Sequence, residues 1–371
     1  MATHRAVVLS SIDKPISIED VPRPIANTGE AVVRVLATSF ASYMKDIMNG
    51  SRQYPLSFPI TPGSSAIARI EEVGPDAVSL VPGQLVWCDI TVHGRDDPNV
   101  QFLLGVHGGQ TPATRKLMDG PWRNSTFAEL AKFPLENVYP LNEEVLVKQR
   151  GYSFADLCYL SPCMVAYGGL SEIDVKAGEV VIVAPATGKF SGAAVSTALA
   201  MGATVVAAGR NQRALDALRS IYGRTGRINT VNLTGEEAKD SDTFRSLTPS
   251  GRGADAYIDF SPPQAANSTH IAAGIKAVRP YGRVALMGGI VGSISIPYGY
   301  VMHLNIRLQG RFMYDRAQIL QVVRLAEMGN LRMGKDVVET IGPYGLGEMQ
   351  KALDETAERS AWGSHVVLQP N

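Results

Sequence analysis

Between Val180 and Ala200 the chain reads VVIVAPATGKFSGAAVSTALA: an apolar strand, a turn of small residues, and an Ala-rich helix. A pyrophosphate bound at such a turn must come within hydrogen-bonding distance of backbone N–H groups at the helix N-terminus, and a large side chain there would hold it off. Gly188, Ser191 and Gly192 are the small residues that permit the approach, and Ala186, Thr187, Gly188, Lys189, Phe190 and Ser191 are the candidate dinucleotide contacts. The strict GxGxxG pattern is absent, because Pro185 and Ser191 stand where Gly or Ala is usual; a ligand-free β–α turn is the alternative. The following strand decides which dinucleotide fits. An acidic residue at its end would bond a ribose 2′-hydroxyl, whereas a 2′-phosphate needs a cation there. That strand ends TVVAAGRNQR, with Gly209, Arg210, Asn211 and then Arg213, and no Asp or Glu. A guanidinium fork matches phosphate oxygens, so NADP(H) is expected over NAD(H). The plainer reading of Arg210 is a solvated charge at a helix start, and Lys189 either adds charge near the phosphates or is incidental.

These residues need a scaffold that repeats strand, turn and helix. From about Leu160 the chain supplies it: EVVIV with its helix, TVVAAGRNQRALDALRSIYG, ADAYIDFSPPQ and GRVALMGG, the grammar of a doubly wound parallel α/β sheet. The first 150 or so residues differ, with short β-type runs (RAVVL, AVVRVLATSF, AIARIEEVG, QLVWCDI) between PRP, TPG, GPD and VPG turns, which predicts a β-rich barrel or meander. After Gln309 come an amphipathic helix, RAQILQVVRLAEMGNL, and a final strand, HVVLQ, which are expected to rejoin the first domain. The expected domains are therefore 1–155, 156–310 and a C-terminal return over 311–371. The stretch from Val92 to Ser125 is too rich in Gly, Pro and charge to assign and is expected to form an insertion beside a cleft.

The chain has 371 residues, 45% hydrophobic and 19% charged, enough for two domains with their own cores. Lys and Arg total 35, as do Asp and Glu. A net charge of zero removes the general attraction on which nucleic-acid binders and polybasic membrane anchors rely, so the expected partner is a small molecule, with no nucleic acid and no membrane. Two uncharged stretches, Phe190–Gly209 and Val284–Met302, are broken by Ser, Thr, Gly and Pro and read as buried strand–turn–helix material. Three cysteines, Cys88, Cys158 and Cys163, form a sparse odd set, and no signal peptide is evident in MATHRAVVLSSIDKP, which together predict a cytoplasmic protein.

End to end the sequence resembles the medium-chain dehydrogenase/reductase superfamily, which contains zinc alcohol dehydrogenases, quinone oxidoreductases and enoyl reductases. The resemblance is carried by RAVVL, VPRP, GEAVVRVLATSF, FPITPGSSAIARIEEVG, VPGQLVWCD, STFAELAKFPLENVYPL, DVKAGEVVIV, GADAYIDFS and AVRPYGRVALMGG. It implies a GroES-like N-terminal domain plus a Rossmann domain, an active site in the cleft between them, and a homodimer. Zinc members hold catalytic metal through a Cys, which aligns here with Ala41, and a His–Glu pair after the PITPG turn, which aligns with Ser64 and Ser65. Neither alanine nor serine is a good zinc ligand, and the four cysteines of the structural zinc lobe are missing as well. His93, His107 and His303 lack ligand spacing, so no metal is expected.

Without metal, hydride transfer to the β-carbon of an α,β-unsaturated carbonyl, or to a quinone, leaves an enolate-type oxyanion that hydrogen bonds can stabilise. Tyr54 lies near the tyrosine of the Gly-x-Tyr-Pro motif in zinc-free enoyl reductases, with two extra residues intervening; Tyr43 takes the place of a proton-relay Ser or Thr, with Lys45 and Asp46 following. Both tyrosines are the catalytic candidates, against the plainer reading of packing residues. Ser261 is expected beside the ribose, Met287, Gly288 and Gly289 near the nicotinamide, and Phe312, Met313 and Tyr314 along the substrate. The expected function is a zinc-independent, NADPH-dependent oxidoreductase of an activated C=C or a quinone. The rivals are a zinc-free NADP-dependent carbonyl or alcohol oxidoreductase and a non-catalytic nucleotide-binding scaffold.

Overall fold

The run EAVVRVLATS is dominated by Ala, Val and Leu, and in the computed structural model, which describes residues 2–370, it forms a strand buried nearly end to end, Glu30–Ser39 (β3). The chain divides into two units. The first runs to Tyr159 and takes up Met333–Ser360 and the segment from Ser364. Its smaller pair is Thr3–Val8 (β1) against Ser17–Pro22 (β2). Around β3 are arranged Ala66–Val73 (β4), Leu85–Cys88 (β5), Thr91–His93 (β6), Gln101–Leu103 (β7), Leu130–Pro134 (β8) and Val138–Pro140 (β9). β3 pairs antiparallel with β4 and β8, β4 with β5, and β5 with β9. The closing strand Ser364–Leu368 pairs with the end of β3, and Glu339–Tyr344 lies parallel beside it. Trp87, Phe127 and Phe133 fill the interior of this unit.

The second unit, Leu160–Arg332 with Ala361–Gly363, holds the six-stranded sheet. In chain order its strands are Val180–Val183 (β10), Thr204–Gly209 (β11), Ile228–Asn232 (β12), Ala254–Asp259 (β13), Val278–Leu286 (β14) and Arg307–Gly310 (β15). Every pairing is parallel, in the spatial order β12, β11, β10, β13, β14, β15. β10 is buried on both faces, as its unbroken VVIV requires in a sheet covered by helices on both sides. The strand order reverses direction at β10, so the topological switch point of this doubly wound sheet falls at the end of the strand that carries the small-residue turn.

Contacts divide the chain differently from the composition-based boundaries. The break after the parallel sheet falls at Arg332/Met333, not at 310/311. The reason is the helix Arg316–Glu327, whose apolar stripe of Ile319, Val322, Val323 and Ala326 packs in the second unit beside the helix Leu160–Glu172. Only the segments after it return to β3. The stretch 92–125 acquires a two-stranded pairing of β6 with β7 and a helix, Pro112–Asp119, capped by Thr111.

Candidate functional site

In the second unit the turn after β10 leads into the helix Lys189–Ala200 with Gly188 as its N-cap. The Ser191 hydroxyl accepts from Gly188 N at 2.9 Å and donates back to Gly188 O at 3.2 Å, so Ser191 locks the cap from its buried side. A Cβ built on Gly188 meets only Ser191 Oγ within 4 Å, leaving its outer side open for a ligand. Ala186 N donates to Ala208 O at 2.7 Å, tying the turn to the end of β11, and Gly209 is small because Thr187 Cγ2 lies 2.7 Å from where a Cβ would stand. Gly192 has a role the sequence does not reveal. Its missing Cβ is replaced by Trp362, 2.1 Å away, and Trp362 N donates to Thr187 O at 2.9 Å. Gly192 therefore admits an indole into the helix face rather than a phosphate, and a segment far along the chain clamps the turn.

Arg210 and Arg213 are exposed, and neither makes a hydrogen bond or ion pair with another described residue. Asn211 Oδ1 accepts from Ala214 N at 3.2 Å and caps the helix Gln212–Tyr222, which leaves its amide donor group for other use. Lys189 stands at the start of the preceding helix, where burial pushes its ammonium down to about 8.

At the end of β13 lies a buried polar network that sequence inspection missed. The Ser261 hydroxyl donates to Asp259 Oδ1, and Ser261 N donates to the same oxygen at 3.1 Å. Its single proton being committed, Ser261 Oγ accepts from His270 Nε2 at 2.7 Å, and Ser268 Oγ lies 2.5 Å from His270 Nδ1. The Ser261 side chain thus faces inward, and the turn offers a ligand its backbone. Gly288 packs against this turn, where a Cβ would stand 2.5 Å from Asp259 Oδ2; Gly289 N donates to Ser261 O at 2.8 Å. Met287 Sδ covers Gly169 on the neighbouring helix. Phe312, Met313 and Tyr314 lie beyond the end of β15 and diverge: Phe312 is exposed, Tyr314 is buried, and Met313 adopts a left-handed φ of 56° with its carbonyl against Gly168.

In the first unit Tyr43 precedes the short helix Met44–Met48, and Arg52 and Tyr54 follow on the loop that leaves it. The Arg52 guanidinium sits over both rings, 4.0 Å from the centroid of Tyr43 and 4.7 Å from that of Tyr54. The two rings meet edge to face at 6.3 Å, and Tyr54 meets His107 in the same way at 4.5 Å. Burial first, then the neighbouring Tyr54, pushes the Tyr43 phenol up to about 12, against the opposing pull of Arg52, so it remains a proton donor at neutral pH. Gly109 N donates to His107 Nδ1 at 3.0 Å, which puts the ring proton on Nε2, and burial lowers the pKa of the imidazole. His107 belongs to the stretch that could not be assigned from sequence. That stretch also reaches the tyrosine loop through Ser57 and Asp119, and through Gly108 N donating to Pro55 O at 2.7 Å. Lys45 pairs with Asp354 at 2.7 Å, and the carbonyl of Asp46 accepts from Arg52 N at 2.8 Å.

The positions aligned with metal ligands are occupied structurally. Ser64 N donates to Thr126 Oγ1 at 2.9 Å, Thr126 Oγ1 donates back to Ser64 O at 2.7 Å, and Thr38 Oγ1 donates to Ser65 O at 3.1 Å. Among the described residues no group of three or more His, Cys, Asp or Glu side chains comes together as a metal site, and the three cysteines are buried and free. Ala41, Ser64 and Ser65 present no thiolate, imidazole or carboxylate at the positions aligned with the metal ligands. A nicotinamide dinucleotide does fit the second unit, with its helix N-terminus at the switch point, its open Gly188 and its unpaired Arg210.

Two family models match the chain, the alcohol dehydrogenase GroES-like domain over residues 27–143 and the zinc-binding dehydrogenase over residues 191–328. The chain belongs to the medium-chain dehydrogenase/reductase superfamily. As a member of this oxidoreductase superfamily it is 23% identical to an NAD-dependent alcohol dehydrogenase of Sulfurisphaera tokodaii, over 98% of this chain and 99% of that one. It is 22% identical to the acryloyl-coenzyme A reductase of Metallosphaera sedula, over 88% of this chain and 90% of the relative. The fold of this dehydrogenase/reductase superposes on a crystal structure of an NAD-dependent alcohol dehydrogenase with a TM-score of 0.76 at 24% identity, covering 99% and 100% of the two chains. No helix among its described residues is long and apolar enough to cross a membrane.

Proposed function

We propose that this protein is an NADPH-dependent, zinc-independent reductase of an activated C=C bond in an α,β-unsaturated carbonyl or of a quinone. The observation that carries the reading is the cluster of Tyr43, Arg52, Tyr54 and His107: one unit gathers a neutral phenol donor and a fixed cation, while Ala41, Ser64 and Ser65 stand at the positions aligned with metal ligands. When bound, the nicotinamide supplies the hydride. Gly188 and the first turn of its helix hold the pyrophosphate, with Ala186, Thr187, Lys189 and Phe190 around it. Arg210 and the Asn211 amide hold the 2′-phosphate, and the backbone of Ser261, Gly288 and Gly289, with Met287, borders the nicotinamide ribose. Tyr43 donates a hydrogen bond to the substrate oxygen as negative charge develops there, and Tyr54 orders Tyr43. A proton relay of this kind is worth about 10²–10⁴ in rate. Phe312 is proposed to contribute to the substrate wall together with Met313 and Tyr314. β15, at the edge of its sheet and flanked by exposed Tyr298, Tyr300 and Met302, supports a homodimer.

The same neutral phenol would also polarise a ketone, so carbonyl reduction is the second reading. A matched pair separates the two: NADPH consumption with an enone and with its saturated ketone, products identified by mass. Turnover of the enone alone to the saturated ketone is expected. Formation of alcohol from the ketone would replace the first reading by the second, and tight NADPH binding with no turnover over a broad panel would point to a scaffold.

A further inference from the structure

Arg52 is the one permanently charged member of the tyrosine cluster. Elsewhere in the same unit guanidinium groups meet carboxylates: Arg34 pairs with Glu71 at 3.0 Å, Arg69 with Glu143 at 2.8 Å and Arg95 with Glu136 at 2.6 Å. Arg52 has no such partner among the described residues; its side-chain contacts are the faces of Tyr43 and Tyr54, and its Nε is buried without an acceptor. A buried donor left unmade is costly, and contact with an aromatic face offsets part of that cost without supplying an anion. Arginine cannot shed its proton to escape this. A fixed cation, held between two phenols and lacking a counter-ion, is a receptor for an oxygen anion.

We infer that Arg52 is a catalytic residue that binds the substrate's carbonyl oxygen and carries its charge once it becomes an enolate. The inference rests on the reading that the substrate is a conjugated carbonyl. The β-carbon accepts a hydride, that is two electrons and one hydrogen, from reduced nicotinamide, which is left oxidised. The C=C electron pair moves to join the α-carbon to the carbonyl carbon, and the carbonyl pair moves onto oxygen, opposite Arg52. A proton delivered to the α-carbon from solvent or a phenol re-forms the carbonyl and gives the saturated ketone. Arg52 supplies in this sequence the positive charge that a metal supplies elsewhere, and Tyr43 adds the hydrogen bond. Charge-assisted donors at a developing oxyanion are worth about 10²–10³ in rate.

The test uses the full chain and its Arg52→Met and Arg52→Lys variants. Methionine keeps the apolar stem that packs on the rings, and lysine keeps the charge without the fork. The first readout is a 1,3-diketone titrated near its own pKa, whose enolate absorbs at longer wavelength than the neutral form. Wild type is expected to lower the apparent pKa of the bound diketone, Arg52→Met to abolish the shift and Arg52→Lys to retain part of it. The second readout is kcat for the enone, expected to fall about 10²–10³-fold in Arg52→Met with NADPH affinity unchanged. An unaltered diketone shift or wild-type enone turnover in a folded Arg52→Met protein would overturn the inference. An Arg52-dependent diketone shift in a wild type that turns over no enone would instead overturn the proposed function and leave the anion site standing.

Discussion

The turn after β10 and the tyrosine loop after β3, the two regions proposed to meet a ligand, are built by opposite means. The turn is local: its strand, cap and helix fall within Val180–Ala200, and its working groups are backbone N–H groups and missing side chains. The tyrosine cluster is assembled from Tyr43, Arg52 and Tyr54 on one side and His107, more than 50 residues on, on the other, and its working groups are side chains whose properties depend on one another. A backbone site tolerates departures from a motif, as Pro185 and Ser191 illustrate, because position matters more than residue type. A side-chain site has no such tolerance. Removing a single member changes the charge, the hydrogen bond or the packing of all the others.

The contrast can be broken most severely at Tyr43. Tyr43→Phe is expected to lower kcat for the enone by about 10²-fold or more while NADPH affinity stays at the wild-type value. Because burial holds the phenol near 12, wild-type activity should show no phenol titration across neutral and mildly alkaline pH. A variant with wild-type kcat would make Tyr43 a packing residue. At the turn the effect moves from rate to coenzyme choice. Arg210→Asp removes a charge-assisted contact worth about 1.5–3 kcal/mol and should shift the ratio of kcat/KM for NADPH over NADH by roughly 10–100-fold toward NADH. An unchanged ratio would remove Arg210 from the phosphate site. The smallest effect is a pH dependence at Lys189. With its ammonium at about 8 in the free protein, Lys189 is charged below that pH and neutral above it, so a phosphate binds the low-pH form better. The NADPH dissociation constant should rise with pH above about 8, by at most about tenfold per pH unit, and the dependence should vanish in Lys189→Met. Fluorescence titrations across that range would show a flat wild-type curve if Lys189 lies away from the phosphates.

Much of the scaffold was legible because it rests on short-range patterns. Unbroken apolar runs such as VVIV mark strands buried on both faces, and Ile319, Val322, Val323 and Ala326 mark one helix face. Which unit that helix joins was not legible, since an apolar stripe specifies that it be covered and not by what. Glycines were the least transparent residues. Gly188, Gly192 and Gly288 look alike in sequence, yet one opens toward solvent, one accepts Trp362 and one accepts the Asp259–Ser261 turn. A missing side chain carries no mark of what fills its place.

The amino-acid sequence by itself determined a β-rich unit and a parallel α/β sheet, the turn at its switch point and the cation at the end of β11, because each is encoded by neighbouring residues. Tertiary structure alone decided that His107 joins Tyr54, that Arg52 lies unpaired between two phenols, that Trp362 clamps Thr187, and that Asp259, Ser261 and His270 share one buried network. Periodicity and propensity act over a few residues. Charge, proton affinity and close packing depend on distances in space, and those are fixed only after the chain has folded.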